Sequence, residues 1–149
     1  MAGGGGGGDG GGGDGGKGKE VPAYVKFAES LLLAAAGEEG PITILIPLDV
    51  TEYFTTMKDY SAEQRNVILK YHMVPKQYKF KKLQKEKAGY KIKTKAEGQK
   101  ISKMTGDAFP AIVLMGKKGM PSILVGPDIF IGETLAIHLV TSMLFPKFE

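Results

Sequence analysis

A long apolar strand near the carboxyl end of the chain constrains the fold more than any other feature. Residues 134–144 read Thr-Leu-Ala-Ile-His-Leu-Val-Thr-Ser-Met-Leu, and successive side chains of a strand point to opposite faces. Both faces are apolar: one carries Leu135, Ile137, Leu139 and Met143, and the other carries Ala136, His138, Val140 and Leu144. A strand with two apolar faces is covered on both sides. We therefore expect this strand to run through the core.

A titratable residue, His138, lies at the middle of this strand. Buried polar groups are hydrogen-bonded, so a core position requires partners for the imidazole. A role as metal ligand or general base is the alternative, but no acidic residue adjoins His138 in sequence. We predict that His138 and Ile137 serve the structural core. Asp49, which we expect to cap a following short helix, is placed in the same structural group.

Composition limits the chain to one domain and argues against catalysis. Of 149 residues, the first eighteen contain thirteen glycines, so residues 1–20 are predicted to be a disordered tail and residues 21–149 the domain. The absence of cysteine excludes thiol catalysis, disulfides and cysteine metal sites. Two histidines far apart in sequence are a poor basis for a metal site. We predict a non-enzyme without a cofactor, and no apolar run is long enough to span a membrane.

The order of predicted elements indicates an α+β fold, because helical patterns come first and strand patterns follow. Two helices are predicted: one over Val21–Ala36, with an apolar stripe of Val25, Ala28, Leu31, Leu32 and Ala35, and one that begins at the capping box Ser61–Gln64. A strand is predicted over Ile42–Ile46, where Pro47 ends it. A hairpin is predicted to join Ala111–Met115 to Ser122–Val125.

A lysine-rich segment from Lys76 to Lys103 stands apart in charge. It contains eleven lysines against Glu86 and Glu97, whereas the whole chain carries +4. Alternation around Ile92 predicts a half-buried strand with a basic outer face. A solvated surface is one interpretation, and binding of an anionic polymer, either an acidic polysaccharide or nucleic acid without sequence specificity, is the other. The candidates for polyanion binding are Lys81, Lys82, Lys85, Lys91, Lys93 and Lys95. Arginine occurs once in the chain, so sequence-specific nucleic-acid recognition is not expected.

Four short motifs, in this order, resemble those of the fasciclin domain family. Thr43-Ile-Leu-Ile-Pro-Leu-Asp49 resembles the first conserved box, although Leu45 replaces its phenylalanine. Tyr71-His72 and Pro127-Asp-Ile129 resemble the Tyr-His and Pro-Asp-Ile motifs. Residues 134–146 resemble the second box, with Glu133-Thr134 in place of its Asn-Gly. The resemblance extends from Val21 to Pro146.

The resemblance implies helices packed on a β-rich wedge or sandwich, and a non-enzymatic module for cell adhesion or for interaction with the extracellular matrix or cell wall. It implies a secreted or cell-surface location, although the sequence shows no signal-peptide pattern. The expected partner is a cell-surface receptor or a matrix or cell-wall polymer, bound by a monomer. Two motifs are candidates for the adhesion contact: Tyr71 with His72, and Pro127, Asp128 and Ile129, with the Asp128 carboxylate presented in a turn that the proline stiffens. In both motifs a structural role is the alternative, with Tyr71 and His72 packed in the core and Asp128 capping the following turn.

Overall fold

A single seven-stranded sheet organises the chain. The computed structural model describes residues 21–148, apart from the side chain of Met57. The predicted disordered tail, residues 1–20, lies outside the described residues, as does Glu149. Within the part of the chain that is described, every helix is too short or too polar to cross a bilayer.

The helices and strands follow in the order expected for an α+β fold, which is confirmed. The elements are α1 (Ala23–Ala36), β1 (Ile42–Asp49), α2 (Thr51–Thr56), a 3₁₀ turn (Met57–Asp59), α3 (Ala62–Tyr71), β2 (Met73–Val74), α4 (Phe80–Gln84), β3 (Lys91–Lys93), β4 (Lys100–Lys103), β5 (Val113–Met115), β6 (Ser122–Ile131) and β7 (Leu135–Ser142).

The sheet curls into a near-barrel. Its strand order is β2-β1-β7-β6-β5-β4-β3, and β1 and β7 are parallel neighbours whereas every other pair is antiparallel. The segment just after the edge strand β3 approaches the other edge strand, β2, where Lys95 N–H donates to the Met73 carbonyl at 2.7 Å. The sheet therefore almost closes on itself but leaves a seam between its edges.

Two apolar clusters lie on opposite faces of β1 and β7. Inside the near-barrel, Leu45, Val140 and Leu144 pack with residues from the other strands. On the outer face, Ile44 and Ile137 pack against the helices. The prediction that the β7 strand is covered on both sides is therefore confirmed, and Ile137 and His138 are buried.

Two sequence predictions for the first elements need correction. In α1 the buried residues are Phe27 and Leu31, whereas Leu32 from the predicted stripe is 41% exposed. Strand β1 does not end at Pro47 but continues to Asp49. Strand β2 pairs with β1 at Thr43 and Ile44, so within the described residues no strand lies beside Pro47 on the side of β1 away from β7. Proline has no N–H to donate, and none is needed at this open position.

Two other predictions are confirmed. Ser61 and Gln64 form the capping box that begins α3, with each side chain bonded to the other residue's backbone N–H. Strands β5 and β6 pair as an antiparallel hairpin. Strand β6 is longer than expected, since it runs through the Pro127-Asp-Ile129 motif to Ile131.

Candidate functional site

His138 connects three segments of the molecule from its buried position in β7. Its Nδ1 accepts a hydrogen bond from the Asp128 N–H at 2.9 Å. Its Nε2 lies 2.6 Å from the Tyr78 carbonyl oxygen. Since Nδ1 is an acceptor, the ring proton resides on Nε2 and is donated to Tyr78. The imidazole is therefore neutral and structural, and its 3.7 Å approach to the Asp128 carboxylate is not an ion pair.

Asp128 lies at an irregularity within β6 rather than in a turn between elements, which corrects the sequence prediction. The register with β7 breaks between Gly126 and Phe130, and Asp128 has a φ of 50°, in the left-handed region that aspartate tolerates better than most residues. A Cβ at Gly126 would come within 2.8 Å of Leu139. The backbone of β6 therefore lies close to β7 at Gly126, and two residues later the Asp128 side chain is exposed.

The Asp128 side chain is accessible but tethered. Its Oδ1 accepts the Phe80 N–H at 2.9 Å, and its side chain is 40% exposed. The neighbouring Ile129 and Phe130 are also exposed, at 48% and 52%. A carboxylate held in one orientation within an apolar surface can contact a partner without first being ordered.

The Tyr71-His72 motif lies in the core, which favours a structural role for this pair over an adhesion contact in the folded domain. Both residues are 0% exposed. The Tyr71 hydroxyl donates to the Lys100 carbonyl at 2.7 Å, and burial raises the pKa of Tyr71 to about 12. His72 donates from Nδ1 to the Ile68 carbonyl and accepts the Leu144 N–H at Nε2, at 2.9 and 3.0 Å.

Asp49 is exposed at the end of β1, so its predicted place in the structural core is wrong. Its local role is close to the predicted one, because its carboxylate accepts the Thr51 N–H at 3.0 Å, at the start of α2. This hydrogen bond lowers the pKa of Asp49. The residue positions the start of a helix from the surface.

Part of the lysine segment gathers at the seam of the near-barrel. A cleft of about 350 Å³ lies between the segment after β2 and the strands β3 and β4. Lys91 and Lys93, two of the predicted candidates, line it. Lys76 and Lys100, which were not among the predicted candidates, also line it, as do the aromatic residues Tyr78 and Tyr90. Lys93 and Lys100 are paired across β3 and β4, and the sequence alone does not predict that these two strands are neighbours.

The other predicted lysines are placed differently. Lys82 Nζ lies 5.7 Å from the centre of the Tyr78 ring, so its charge is close to the cleft. Lys95 forms an ion pair with Glu38 at 3.1 Å, which neutralises it. Lys81 and Lys85 are exposed on and just after α4 and are outside the set that lines the cleft. The structure therefore brings together a subset of the candidates.

Lys103 is the residue whose placement differs most from a solvated basic face, since it is 0% exposed. Its ammonium donates to the carbonyl oxygens of Gln84, Glu86 and Thr105 at 3.2, 2.5 and 2.8 Å, with Gly106 at 3.5 Å. Burial lowers the pKa of Lys103, and the nearby Asp107 and Glu86 carboxylates oppose that shift. Its position two residues after Ile101 on β4 already implied an inward side chain.

The described residues contain no group of three or more histidine, aspartate or glutamate side chains that could hold a metal ion. Both histidines are engaged by backbone groups on both ring nitrogens. The polar groups of residues 21–148 that stand out are therefore a tethered carboxylate and a lysine-lined cleft.

Comparison with known proteins identifies the family. The sequence model of the fasciclin domain matches residues 19–146, which is most of the chain, and the protein belongs to the fasciclin domain family. No curated protein sequence matches it significantly.

Among solved structures, the fold is similar to that of a FAS1 domain pair from the insect cell adhesion molecule fasciclin I, with a TM-score of 0.61 and 16% sequence identity. The match covers 82% of this chain and 45% of the other, so this chain spans about half the length of the domain pair. At this identity the likeness establishes the fold, and it agrees with the α+β near-barrel described above.

The buried His72 predicts that the domain loses stability in mild acid. Burial lowers the pKa of His72 from 6.5 to about 4, so the unfolded chain takes up a proton before the folded one does. The stability that depends on neutral His72 is complete above pH 6.5 and is lost as the pH falls towards 4. We expect the free energy of unfolding to fall by about 2 kcal/mol between pH 7 and pH 5 from this group, as measured by urea titration.

The matched control is His72→Gln, whose side chain does not titrate. This variant should be less stable than the wild type at pH 7 and should show a flatter pH dependence. An equal slope for both proteins would assign the acid sensitivity to other groups.

Because backbone carbonyl oxygens surround the Lys103 ammonium, we expect its removal to destabilise the domain more than removal of an exposed lysine ammonium. Lys103→Met keeps the aliphatic stem but leaves buried carbonyl oxygens without a donor, so we expect a loss of about 2–3 kcal/mol in the free energy of unfolding. Lys91→Met, at an exposed position nearby on β3, should change stability by no more than about 0.5 kcal/mol. Equal stability of the two variants in chemical denaturation would refute the structural role of Lys103.

Proposed function

We propose that this domain is a non-enzymatic interaction module for cell adhesion or for contact with an extracellular matrix or cell wall, acting at the cell surface or outside the cell. Membership of the fasciclin domain family supports this proposal, as does the fold likeness to part of an insect cell adhesion molecule. The expected partner is a cell-surface receptor or a matrix or cell-wall polymer.

The observation that carries the adhesion proposal is the geometry of Asp128. One carboxylate oxygen is fixed by the Phe80 N–H, and the backbone N–H of the same residue is fixed by His138. No protein partner is found for the second oxygen, Oδ2, among the described residues. A carboxylate presented in this way can complete the oxygen coordination of a divalent cation held by an adhesion receptor. Pro127 before it and the exposed Ile129 after it would form the rim of such a contact.

Replacing the charge without moving the backbone tests this proposal. Asp128→Asn keeps an oxygen acceptor for Phe80 and tolerates a positive φ, so the thermal midpoint should stay within about 4 °C, which corresponds to less than roughly 1 kcal/mol. Attachment of cells to the immobilised domain should fall at least tenfold and should require a divalent cation.

The control for that experiment is Asp59→Asn, which removes the same charge from an exposed position in the turn after α2. This control should attach cells as the wild type does. If Asp128→Asn attaches cells normally, the Asp128 carboxylate is not the adhesion contact.

A second candidate function is the binding of a polyanion through the lysine segment. The observation that favours it is the cleft at the seam, which is lined by four lysines. None of those four has a carboxylate partner among the described residues, whereas Lys95 has Glu38. A cluster of uncompensated ammonium groups attracts anionic polymers.

Salt dependence provides the test of this second function. The affinity for a polyanion should fall linearly with salt on a logarithmic plot, because each neutralised phosphate releases a counterion. With duplex DNA as a rigid probe, replacing Lys91, Lys93 and Lys100 by glutamine should flatten the slope by roughly two to three units, at about 0.9 per contact. Lys95→Gln should change the slope less, since Glu38 already neutralises Lys95. Absence of binding to heparin, pectate and DNA at low ionic strength would exclude this function.

A further inference from the structure

We infer that the cleft at the seam of the near-barrel is a built subsite for an acidic polysaccharide, in which carboxylate or sulfate groups on consecutive sugar units meet lysines of β3, β4 and the segment after β2. This inference rests on the second function proposed above. It goes further because it assigns the binding to one cleft and to one class of polymer, instead of to the basic surface as a whole.

The seam supplies the shape. Beside the Lys95–Met73 hydrogen bond, the edge strands separate and the segment Val74–Tyr78 forms one wall, with Lys91, Lys93 and Lys100 on the other. The cleft of about 350 Å³ is within the range of small-ligand sites. A second hollow of about 310 Å³ adjoins it and shares Pro75, Lys93 and Lys100. Two adjoining hollows with a shared wall suit an extended chain better than a single compact ion.

The charges in the cleft need a counterion. Lys93 and Lys100 are direct cross-strand partners, and like charges placed opposite each other destabilise a sheet. Among residues 21–148, no acidic side chain lines the main cleft, while Glu97 lines the adjoining hollow. An anion placed between the two ammonium groups would remove their repulsion and gain two charge-assisted hydrogen bonds.

The aromatic residues of the cleft favour a sugar over a nucleobase. Single-stranded nucleic acids bind through open aromatic faces on which bases stack. Tyr78 is only 4% exposed and Tyr90 is half-buried. The ammonium groups of Lys76 and Lys82 lie 5.2 and 5.7 Å from the centre of the Tyr78 ring. What these residues offer instead is hydroxyl groups, since the Tyr78 and Tyr90 hydroxyls lie 2.6 Å apart. One hydroxyl donates its proton to the other, and the second hydroxyl can donate its own proton to a sugar oxygen.

The Lys91 ammonium is already oriented by the cleft wall. It donates to the Ser102 hydroxyl at 2.6 Å, across the register pair that joins β3 to β4. An ammonium has three donors, so Lys91 can hold this bond and still bind an anion. Pre-orientation lowers the entropy cost of ordering a long side chain on binding.

The experiment compares two variants of the full chain that lose the same charge from different places. The cleft variant is Lys93→Gln with Lys100→Gln, and the control variant is Lys81→Gln with Lys85→Gln, both exposed and outside the cleft. The probes are hexameric oligogalacturonate, a heparin hexasaccharide, a neutral glucan hexamer and oligodeoxythymidylate, all measured calorimetrically at the same ionic strength.

We expect the wild type to bind one or both acidic oligosaccharides and to ignore the neutral glucan. The cleft variant should lose at least about tenfold in affinity, because charge-assisted hydrogen bonds are the stronger class, and the control variant should lose less than about threefold. The two acidic probes distinguish carboxylates from sulfates. Tyr90→Phe, which removes one hydroxyl, should weaken the same binding several-fold. Because it also takes the partner from the buried Tyr78 hydroxyl, its affinity is measured well below its own thermal midpoint.

The outcomes separate this inference from the function on which it rests. Equal losses in the two lysine variants would show that polyanion binding is diffuse, and the cleft assignment would be wrong. No binding by the wild type would overturn both. Tighter binding of oligodeoxythymidylate than of either acidic oligosaccharide would refute the polysaccharide assignment in favour of nucleic acid. The cleft variant should melt at or above the wild-type midpoint, since it removes a repulsive pair, so a loss of binding cannot be attributed to unfolding.

Discussion

The two hydrogen bonds of the His138 ring hold together parts of the molecule that strand pairing does not reach. The register between β6 and β7 breaks between Gly126 and Phe130, so the Asp128 N–H needs a partner from elsewhere. His138 provides it and donates its own proton to the Tyr78 carbonyl. A neutral imidazole suits this position because it donates on one side and accepts on the other. Leaving either backbone group buried without a partner would cost about 1–3 kcal/mol.

The same physical requirement explains why short motifs in the sequence resembled those of a family. Thr43, His72 and His138 are buried polar residues, and each bonds two backbone groups, at least one of which is distant in the chain. The partners are the Lys76 carbonyl and Tyr78 N–H for Thr43, the Ile68 carbonyl and Leu144 N–H for His72, and the Tyr78 carbonyl and Asp128 N–H for His138. Few side chains both donate and accept in so little space. The polar residues of these motifs therefore have structural roles, and Tyr71-His72 lies inside the protein for that reason.

What the sequence could predict depends on how local the cause is. The two-sided β7 strand and the Ser61 capping box follow from spacing alone, and both are confirmed. The buried face of α1 was misplaced because adjacent leucines, Leu31 and Leu32, leave its phase ambiguous until β1 packs against it. The irregularity in β6 that exposes Asp128 lies beside the close approach of Gly126 to Leu139, a residue far from it in sequence. The cleft also needed tertiary information, because it forms only where the two edges of the sheet meet.

The two candidate surfaces share one support, and this decides how their variants must be interpreted. The segment 76–80 carries Lys76 and Tyr78 into the cleft, and at its other end the Phe80 N–H is held by Asp128. A change that releases Phe80, such as Asp128→Ala, would loosen this segment and disturb the cleft as well as the carboxylate. A change that keeps the acceptor removes only the charge. An attachment defect accompanied by weaker anion binding would therefore report movement of the shared segment, whereas a defect in attachment alone would identify the carboxylate as the contact.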